Sequence, residues 1–183
     1  CRRPSADTDG GNEQVLLDGD AEAEGESFFA VGGMIHSPDQ RLFATATDRN
    51  GSEYCTIRIR DLETGDLLDD TLPDAQGDMV WSEDAKTLFY TMLDENHRPC
   101  RVVRHVVGTD VREDVVVYEE ADPGFFLGIG KTESGRFIVI DAHDHADTSE
   151  VYLIPSDMPM GEPRLLLPRE TGVTYDVSDH GDR

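Results

Sequence analysis

One short stretch of the sequence carries enough ligand-type side chains to suggest metal chemistry. Divalent metal ions bind carboxylate oxygens and imidazole nitrogens. The alternative is a polar hairpin loop, because alternating residues of an extended segment point in opposite directions. The sequence favours the loop, and the candidate metal ligands in it are Asp141, His143, His145 and Asp147, with Asp144 between them.

Two other motifs resemble nucleotide-binding or catalytic signatures, but each lacks an essential part. Positions 128–132 (GIGKT) resemble the end of a phosphate-binding loop. The first Gly of that motif would fall at Phe125, however, and a strand is predicted to follow where the motif needs a helix. Positions 25–29 (GESFF) lack the closing Gly of the G-x-S-x-G elbow that carries a hydrolase nucleophile. The sequence therefore predicts no catalytic residue and no cofactor site.

The charge of the chain is strongly one-sided. Its 39 acidic and 16 basic residues give a formal net charge of -23. A field of this sign repels phosphate, so we expect neither nucleic acid nor an anionic membrane as a partner. It favours cationic peptides or metal ions, or it serves only to keep the surface solvated. No apolar run approaches the roughly 20 residues of a membrane-spanning helix.

The cysteines and the first residues bear on compartment and context. Three cysteines without a C-x-x-C pair argue against a disulfide framework and against a zinc site. A reducing compartment fits this pattern, so we expect a cytoplasmic protein, with the periplasm as the alternative. The start of the chain (CRRP) has no apolar segment of a signal peptide, which suggests that the sequence comes from within a longer chain.

The elements that would position these residues are short strands that repeat at a nearly fixed interval. Ser37 and Ser82 are 45 residues apart, Ser82 and Thr132 are 50 apart, and Cys55 and Cys100 are again 45 apart. Each repeat contains four short apolar or alternating segments separated by Asp, Gly, Pro and Asn. The predicted strands are 31–35, 41–47, 53–60 and 66–72 in the first repeat, 79–81, 86–92, 100–107 and 114–119 in the second, and 126–129, 136–141, 150–154 and 163–167 in the third.

Four short strands every 45 to 50 residues indicate the blades of a β-propeller. A β-sandwich would also contain short strands, but it requires no fixed period. The sequence therefore predicts an all-β fold, a partial β-propeller of about three four-stranded blades plus the start of a fourth. We assign residues 1–27 to an N-terminal linker or strap and residues 28–183 to the incomplete propeller. The blades cover about 28–75, 76–122 and 123–170, and 171–183 begins the next.

The repeat pattern also gives local expectations. A propeller ring normally contains about 4 to 8 blades, so the end faces of this chain are expected to be open and to favour self-association. Trp81, on an innermost strand, is expected to pack between blades. Asn50-Gly51 predicts a type I′ hairpin turn. Residues 20–26 (DAEAEGE) predict a helical turn or a linker.

Several strings, in order along nearly the whole chain, carry a family resemblance. They are DLETG at 61–65, TLFYT at 87–91, LDENHRP at 93–99, RHVVGTD at 104–110, DVVVYEE at 114–120, SGRFIVI at 134–140, TSEV at 148–151 and GDR at 181–183. In their order and spacing they resemble the propeller of the oligopeptidase B (protease II) branch of the prolyl oligopeptidase family.

The resemblance implies a serine peptidase that cuts short peptides after Arg or Lys. In that family an α/β-hydrolase domain carries the catalytic Ser, Asp and His, and a seven-bladed propeller covers the active site and excludes large folded proteins. The implied partners are the α/β-hydrolase domain, the remaining blades and basic peptide substrates. No family catalytic residue can be placed on this sequence, so the chain alone is expected to be inactive. The alternative is a stand-alone propeller that binds a protein partner and has no hydrolase domain.

Overall fold

The computed structural model describes residues 13–179 and confirms the all-β propeller prediction. A five-residue helix, α1 (Gly19–Ala23), lies before the strands, and a 3-10 turn (Val111–Glu113) lies before the seventh strand. The strands are β1 (Ala30–His36), β2 (Leu42–Asp48), β3 (Cys55–Asp61), β4 (Leu67–Trp81), β5 (Thr87–Leu93), β6 (Pro99–Val106), β7 (Val115–Glu119), β8 (Phe126–Lys131), β9 (Phe137–His143), β10 (Ser149–Pro155) and β11 (Arg164–Leu167).

The strands form two antiparallel sheets that make up three four-stranded blades. One sheet has the order β1 to β7 and the other the order β11-β10-β9-β8. The first two blades share β4, which the sequence did not predict. Leu72 in its first half pairs with β3, as the outer strand of blade one, and Trp81 at its end pairs with β5, as the inner strand of blade two.

Two apolar clusters hold the three blades together. Blade two lies between its neighbours, so β5 is buried on both faces, with Leu88 and Tyr90 in the cluster toward blade one and Phe89 in the cluster toward blade three. Trp81 is 2% exposed and its Nε1 donates to the carbonyl oxygen of Ile35 at 3.3 Å. The predicted packing of Trp81 between blades is thereby confirmed.

The turn between the first two strands of each blade recurs in all three blades. It begins at Ser37, Ser82 and Thr132, and the residue three positions later has a left-handed backbone in each case. That residue is Gln40 (φ 60°), Ala85 (φ 55°) and Gly135 (φ 76°), respectively. Only Gly adopts this conformation without steric cost, so the third blade uses the favoured residue and the first two do not.

Replacing Gln40 by Gly is expected to raise the free energy of unfolding by about 0.5–1 kcal/mol, because the left-handed strain is removed from an exposed position. The matched reverse change, Gly135→Ala, should lower it by a similar amount. An added Cβ there would meet only the Lys131 side chain, at 4.0 Å, so no steric clash adds to the strain. Urea-induced unfolding measures both. Changes of the same sign would contradict the equivalence of the two turns.

Two local predictions need correction. Residues 171–179, predicted to begin a fourth blade, contain no strand, although Val173, Tyr175 and Val177 are half-buried and the residues between them are exposed. A strand requires a ladder partner, and the described residues provide only isolated hydrogen bonds, from Gly172 to Thr148, between Ser149 and Val173 or Tyr175, and from Ser134 to Asp179. Residues 180–183 of that predicted strand lie outside the described residues. The type I′ turn at Asn50-Gly51 is also wrong, because Gly51 has a positive φ (72°) but Asn50 does not.

Candidate functional site

The predicted metal-ligand segment is a hairpin loop between β9 and β10 that is held by its own carboxylate. Asp144 Oδ1 accepts backbone N–H bonds from Ala146 (2.9 Å), Asp147 (3.1 Å) and Thr148 (3.0 Å). These hydrogen bonds, that of Ala146 first, hold the pKa of Asp144 below its usual value. The carboxylate is thus committed to the loop.

The same device occurs in the equivalent loops of the other two blades. Asp48 accepts from the backbone N–H of Asn50 at 2.8 Å, and Asp94 accepts from that of Asn96 at 2.9 Å. In each case burial raises the pKa, but the combined hydrogen bonds outweigh it and the pKa is lowered. The recurrence of the capping Asp identifies the loop as part of the repeat, in agreement with the hairpin interpretation.

The structure brings three of the four candidate ligands into contact, Asp141 with His143 and His143 with His145, whose ring centroids are 4.5 Å apart. Asp141 Oδ2 lies 3.5 Å from His143 Nδ1, and burial raises the pKa of Asp141 although the His143 charge opposes this. The His145 ring packs on Phe126 with the ring centroids 4.3 Å apart. Asp147 accepts a hydrogen bond from Thr148 Oγ1 at 3.1 Å. Within residues 13–179, no three His, Cys, Asp or Glu side chains are arranged to hold a metal ion.

A more tightly organised cluster, which the sequence did not single out, joins blades one and two. His105 on β6 is fully buried, with Nδ1 2.6 Å from Asp114 Oδ1 and Nε2 2.8 Å from Asp70 Oδ1. Tyr90 donates to Asp114 Oδ2 at 3.0 Å, and the backbone N–H of Gly108 donates to Asp70 at 2.6 Å. Ionised carboxylates can only accept, so the two of them favour a His105 that donates from both nitrogens, the imidazolium.

The shifted pKa values in this cluster have identifiable causes. Burial lowers the pKa of His105, but hydrogen bonds and charges from Asp114 and Asp70 outweigh it, so its pKa is raised above 6.5. Burial, and then the Asp114 charge, raise the pKa of Tyr90. His105 is fully buried, and the cluster fastens the outer strand of blade one to blade two.

The sequence contains one signal for this cluster. His105 lies opposite Leu88 on β5, which is a core position of an alternating strand. A titratable side chain at such a position needs buried partners. The partners themselves are not predictable from spacing, because Asp70 lies 35 residues away in another blade.

Two arginines organise the junction between blades two and three. Arg98 forms an ion pair with Asp94 at 3.0 Å and donates to the backbone carbonyls of Asp122 and Phe125, each at 2.9 Å. Arg169 reaches back from beyond β11 to Glu120 at 2.5 Å and lies over the Phe125 ring, 3.5 Å from its centroid. Both guanidinium groups therefore fix the linker that leads into blade three.

The remaining motifs fold as the sequence predicts. Positions 128–131 lie in β8 and lead through a turn into β9, so no helix follows the GIGKT string. Cys55 and Cys100 are buried and free, each near the start of the third strand of its blade. Within residues 13–179, no helical segment has the length and apolar character needed to cross a bilayer. The described residues thus form three stacked blades, and polar clusters connect neighbouring blades.

A family model described as the prolyl oligopeptidase N-terminal beta-propeller domain matches residues 1–183. The chain belongs to the prolyl oligopeptidase family. Dipeptidyl aminopeptidase BI of Pseudoxanthomonas mexicana is 42% identical over 172 residues, which are 93% of this chain and 24% of that protein. Protease 2 of Moraxella lacunata is 37% identical over 172 residues, 93% of this chain and 25% of that protein.

The solved structures agree with this assignment. Oligopeptidase B from Leishmania major superposes with a TM-score of 0.87 at 32% identity, covering 98% of this chain and 25% of that one. The predicted resemblance to the oligopeptidase B propeller is therefore confirmed. The chain spans about a quarter of the length of these relatives. In the solved relatives the propeller is one domain of a larger chain that also contains a catalytic domain.

Proposed function

We propose that the parent protein is a serine oligopeptidase that hydrolyses short peptides after Arg or Lys, and that this chain is a non-catalytic part of its propeller that limits access to the active site. The observation that carries the proposal is the match of the whole chain to the family's propeller domain, together with the three observed blades. The α/β-hydrolase domain carries out the reaction, and the blades of this chain limit access to its active site.

The packing between blades supports a role as a size filter. A filter must keep its blades in contact while the active site opens and closes. Here two apolar clusters join the three blades, and charged groups reinforce both junctions: His105 between blades one and two, Arg98 and Arg169 between blades two and three. Such contacts give a wall that resists local opening.

The charge distribution supports a preference for basic peptides. Many arginines are neutralised by ion pairs, which leaves the acidic excess exposed; those arginines are Arg49, Arg98, Arg101, Arg112 and Arg169. A net charge of -23 raises the local concentration of cationic peptides, and salt screens this attraction over about 8 Å at physiological ionic strength.

The test uses the protein encoded by the full reading frame. We expect that protein to hydrolyse a short peptide after its single Arg or Lys. A peptide with Gln in place of that Arg or Lys should be cleaved poorly. The original peptide sequence should remain uncut when it is part of a folded protein. The 1–183 chain alone should show no hydrolysis. Hydrolysis by that chain would contradict the proposal that the reaction is carried out by the α/β-hydrolase domain alone. A reading frame that ends soon after Arg183 without a G-x-S-x-G domain would favour the alternative, a stand-alone propeller that binds a protein partner.

The proposal extends to partners and compartment. The outward faces of blades one and three are proposed to contact the remaining blades of the parent chain. In the 1–183 chain produced alone, these faces are available for self-association, which light scattering over a concentration series would detect. The buried free thiols of Cys55 and Cys100 fit a reducing, cytoplasmic compartment.

A further inference from the structure

The outward face of blade one contains a cavity of about 370 Å³ with an unusual share of cationic side chains. Its floor consists of alternate residues of β2 and β3, on the side of the sheet that faces away from blade two. These residues are Phe43, Thr45, Thr47, Thr56, Arg58 and Arg60. In a chain with 39 acidic residues, a cavity floored by two arginines is a departure from the general charge.

Arg58 lies at the centre of this floor. It stands opposite Thr45 on β2 and opposite Thr71 on β4. Its Nε is buried and has no hydrogen-bond partner among the described residues. A buried donor of a charged group without a partner is costly, and native structures rarely retain one. The atom therefore marks a place where an acceptor belongs.

The neighbouring arginines differ from Arg58 because their acceptors lie within the chain. Arg49 pairs with Glu22 at 2.5 Å and with Glu26 at 3.0 Å. Arg60 Nη1 donates to the carbonyl oxygen of Gly65 at 2.7 Å. Glu22 also lines the cavity, but its carboxylate is occupied by Arg49. No carboxylate among residues 13–179 forms an ion pair with Arg58.

We propose that Arg58 receives an Asp or Glu carboxylate from the blade that closes the propeller ring, in the part of the parent chain beyond residue 183. Three blades are present, and the matched relatives are about four times as long as this chain. In a ring, the last blade packs on the first, and the first blade presents this face. A guanidinium binds a carboxylate through two parallel hydrogen bonds, which suits a donor left open at Nε.

The other lining residues fit a side chain from a blade better than a free ion. The hydroxyls of Thr45, Thr47 and Thr56 offer further donors around the carboxylate, whereas Phe43 and Leu67 provide apolar surface for the strand that carries it. The volume of the cavity exceeds that of a single carboxylate group. Neighbouring side chains of the strand that carries the carboxylate therefore enter the cavity with it. The ion pair would join the first and last blades of the ring.

The direct test is a crystal structure of the full-length protein. We expect a carboxylate oxygen from a residue beyond position 183 within hydrogen-bond distance of the Arg58 guanidinium. An apolar contact there, a bound free anion, or a carboxylate from any segment outside the closing blade would each overturn the proposal. This outcome does not depend on peptidase activity, so it separates this inference from the proposed function.

Variants of the full-length protein provide a second measurement. Arg58→Leu should lower the thermal unfolding midpoint by about 2–4 °C, with Arg58→Lys intermediate. The matched control is Arg41→Leu in the same blade, since Arg41 pairs with Glu63 at the surface and should leave the midpoint unchanged. Replacing the acidic partner by its amide should add little to Arg58→Leu. Additive losses would contradict the pair.

Added anions distinguish the two sources of a ligand, even where Arg58→Leu fails to fold. Acetate or inorganic phosphate should leave the wild-type midpoint no higher than sodium chloride does at equal ionic strength, because the carboxylate of the closing blade already occupies the site. A specific rise with acetate or phosphate, absent in Arg58→Lys, would show a free-anion site and overturn the proposal.

Discussion

Replacing His105 by Ala is expected to lower the free energy of unfolding by about 3–5 kcal/mol, because it leaves two buried carboxylates without their shared cation. Asp70 and Asp114 flank the imidazole at 2.8 and 2.6 Å, and all three side chains are nearly inaccessible to solvent. The loss therefore includes the uncompensated charges as well as the missing ring. Urea-induced unfolding of the 1–183 chain measures the change.

The matched control is the same substitution at His97, an exposed loop residue. Its Nδ1 lies 3.4 Å from Glu53, and the side chain is 45% exposed. Surface ion pairs of this kind contribute about 0–1 kcal/mol, so His97→Ala should change stability by less than about 0.5 kcal/mol. Similar losses at the two positions would contradict a special role for the buried cluster.

The same cluster gives a pH dependence with a definite sign. Burial lowers the pKa of His105, but Asp114 and Asp70 outweigh it, so the folded-state pKa lies above the unfolded value of 6.5. A raised pKa contributes stability that is fully present below 6.5 and is lost as the pH rises through the folded-state value. The difference in unfolding free energy between wild type and His105→Ala should therefore shrink toward alkaline pH. A difference that grows would contradict the imidazolium.

Much of the fold could be predicted because each strand and turn of the repeat is marked by a local sequence pattern. Alternation marks each strand, and the Ser or Thr that opens the first turn of each blade sets the period. The continuity of β4 was missed because residues 73–77 (PDAQG) contain Pro, Asp and Gly, which normally end a strand. In the structure the pairing of β4 with β5 shifts register between Ala75 and Met79, around Gly77 with φ 133°, and the strand continues beyond it.

The polar clusters were less predictable, since their geometry depends on which blades are adjacent. Asp144 could be assigned to its loop because Asp48 and Asp94 occupy equivalent places. Arg58 has no such counterpart, and its position over the cavity follows only from the register of β2 and β3. Periodicity identifies what repeats, whereas contacts between blades involve the residues that differ from one repeat to the next.

Gly33→Ala is the second substitution with a large expected effect. The inner strands of blades one and two approach so closely that a Cβ at Gly33 would overlap the carbonyl oxygen of Gly77 and lie 3.1 Å from its carbon. The neighbour is backbone and cannot move aside without displacing β4. We expect a loss of about 3 kcal/mol or more in the free energy of unfolding, the upper range for overpacking. Urea unfolding and circular dichroism measure it.

The matched control is Gly128→Ala in the 1–183 chain. Gly128 lies four residues before Thr132, as Gly33 lies four residues before Ser37, and a Cβ at Gly128 would meet nothing within 4 Å. Alanine there should be neutral or slightly stabilising, because Gly weakens a strand interior. A large loss at Gly33 with none at Gly128 would show that the close approach of the inner strands of blades one and two, and not strand propensity, requires glycine. Equal effects at both positions would contradict that approach.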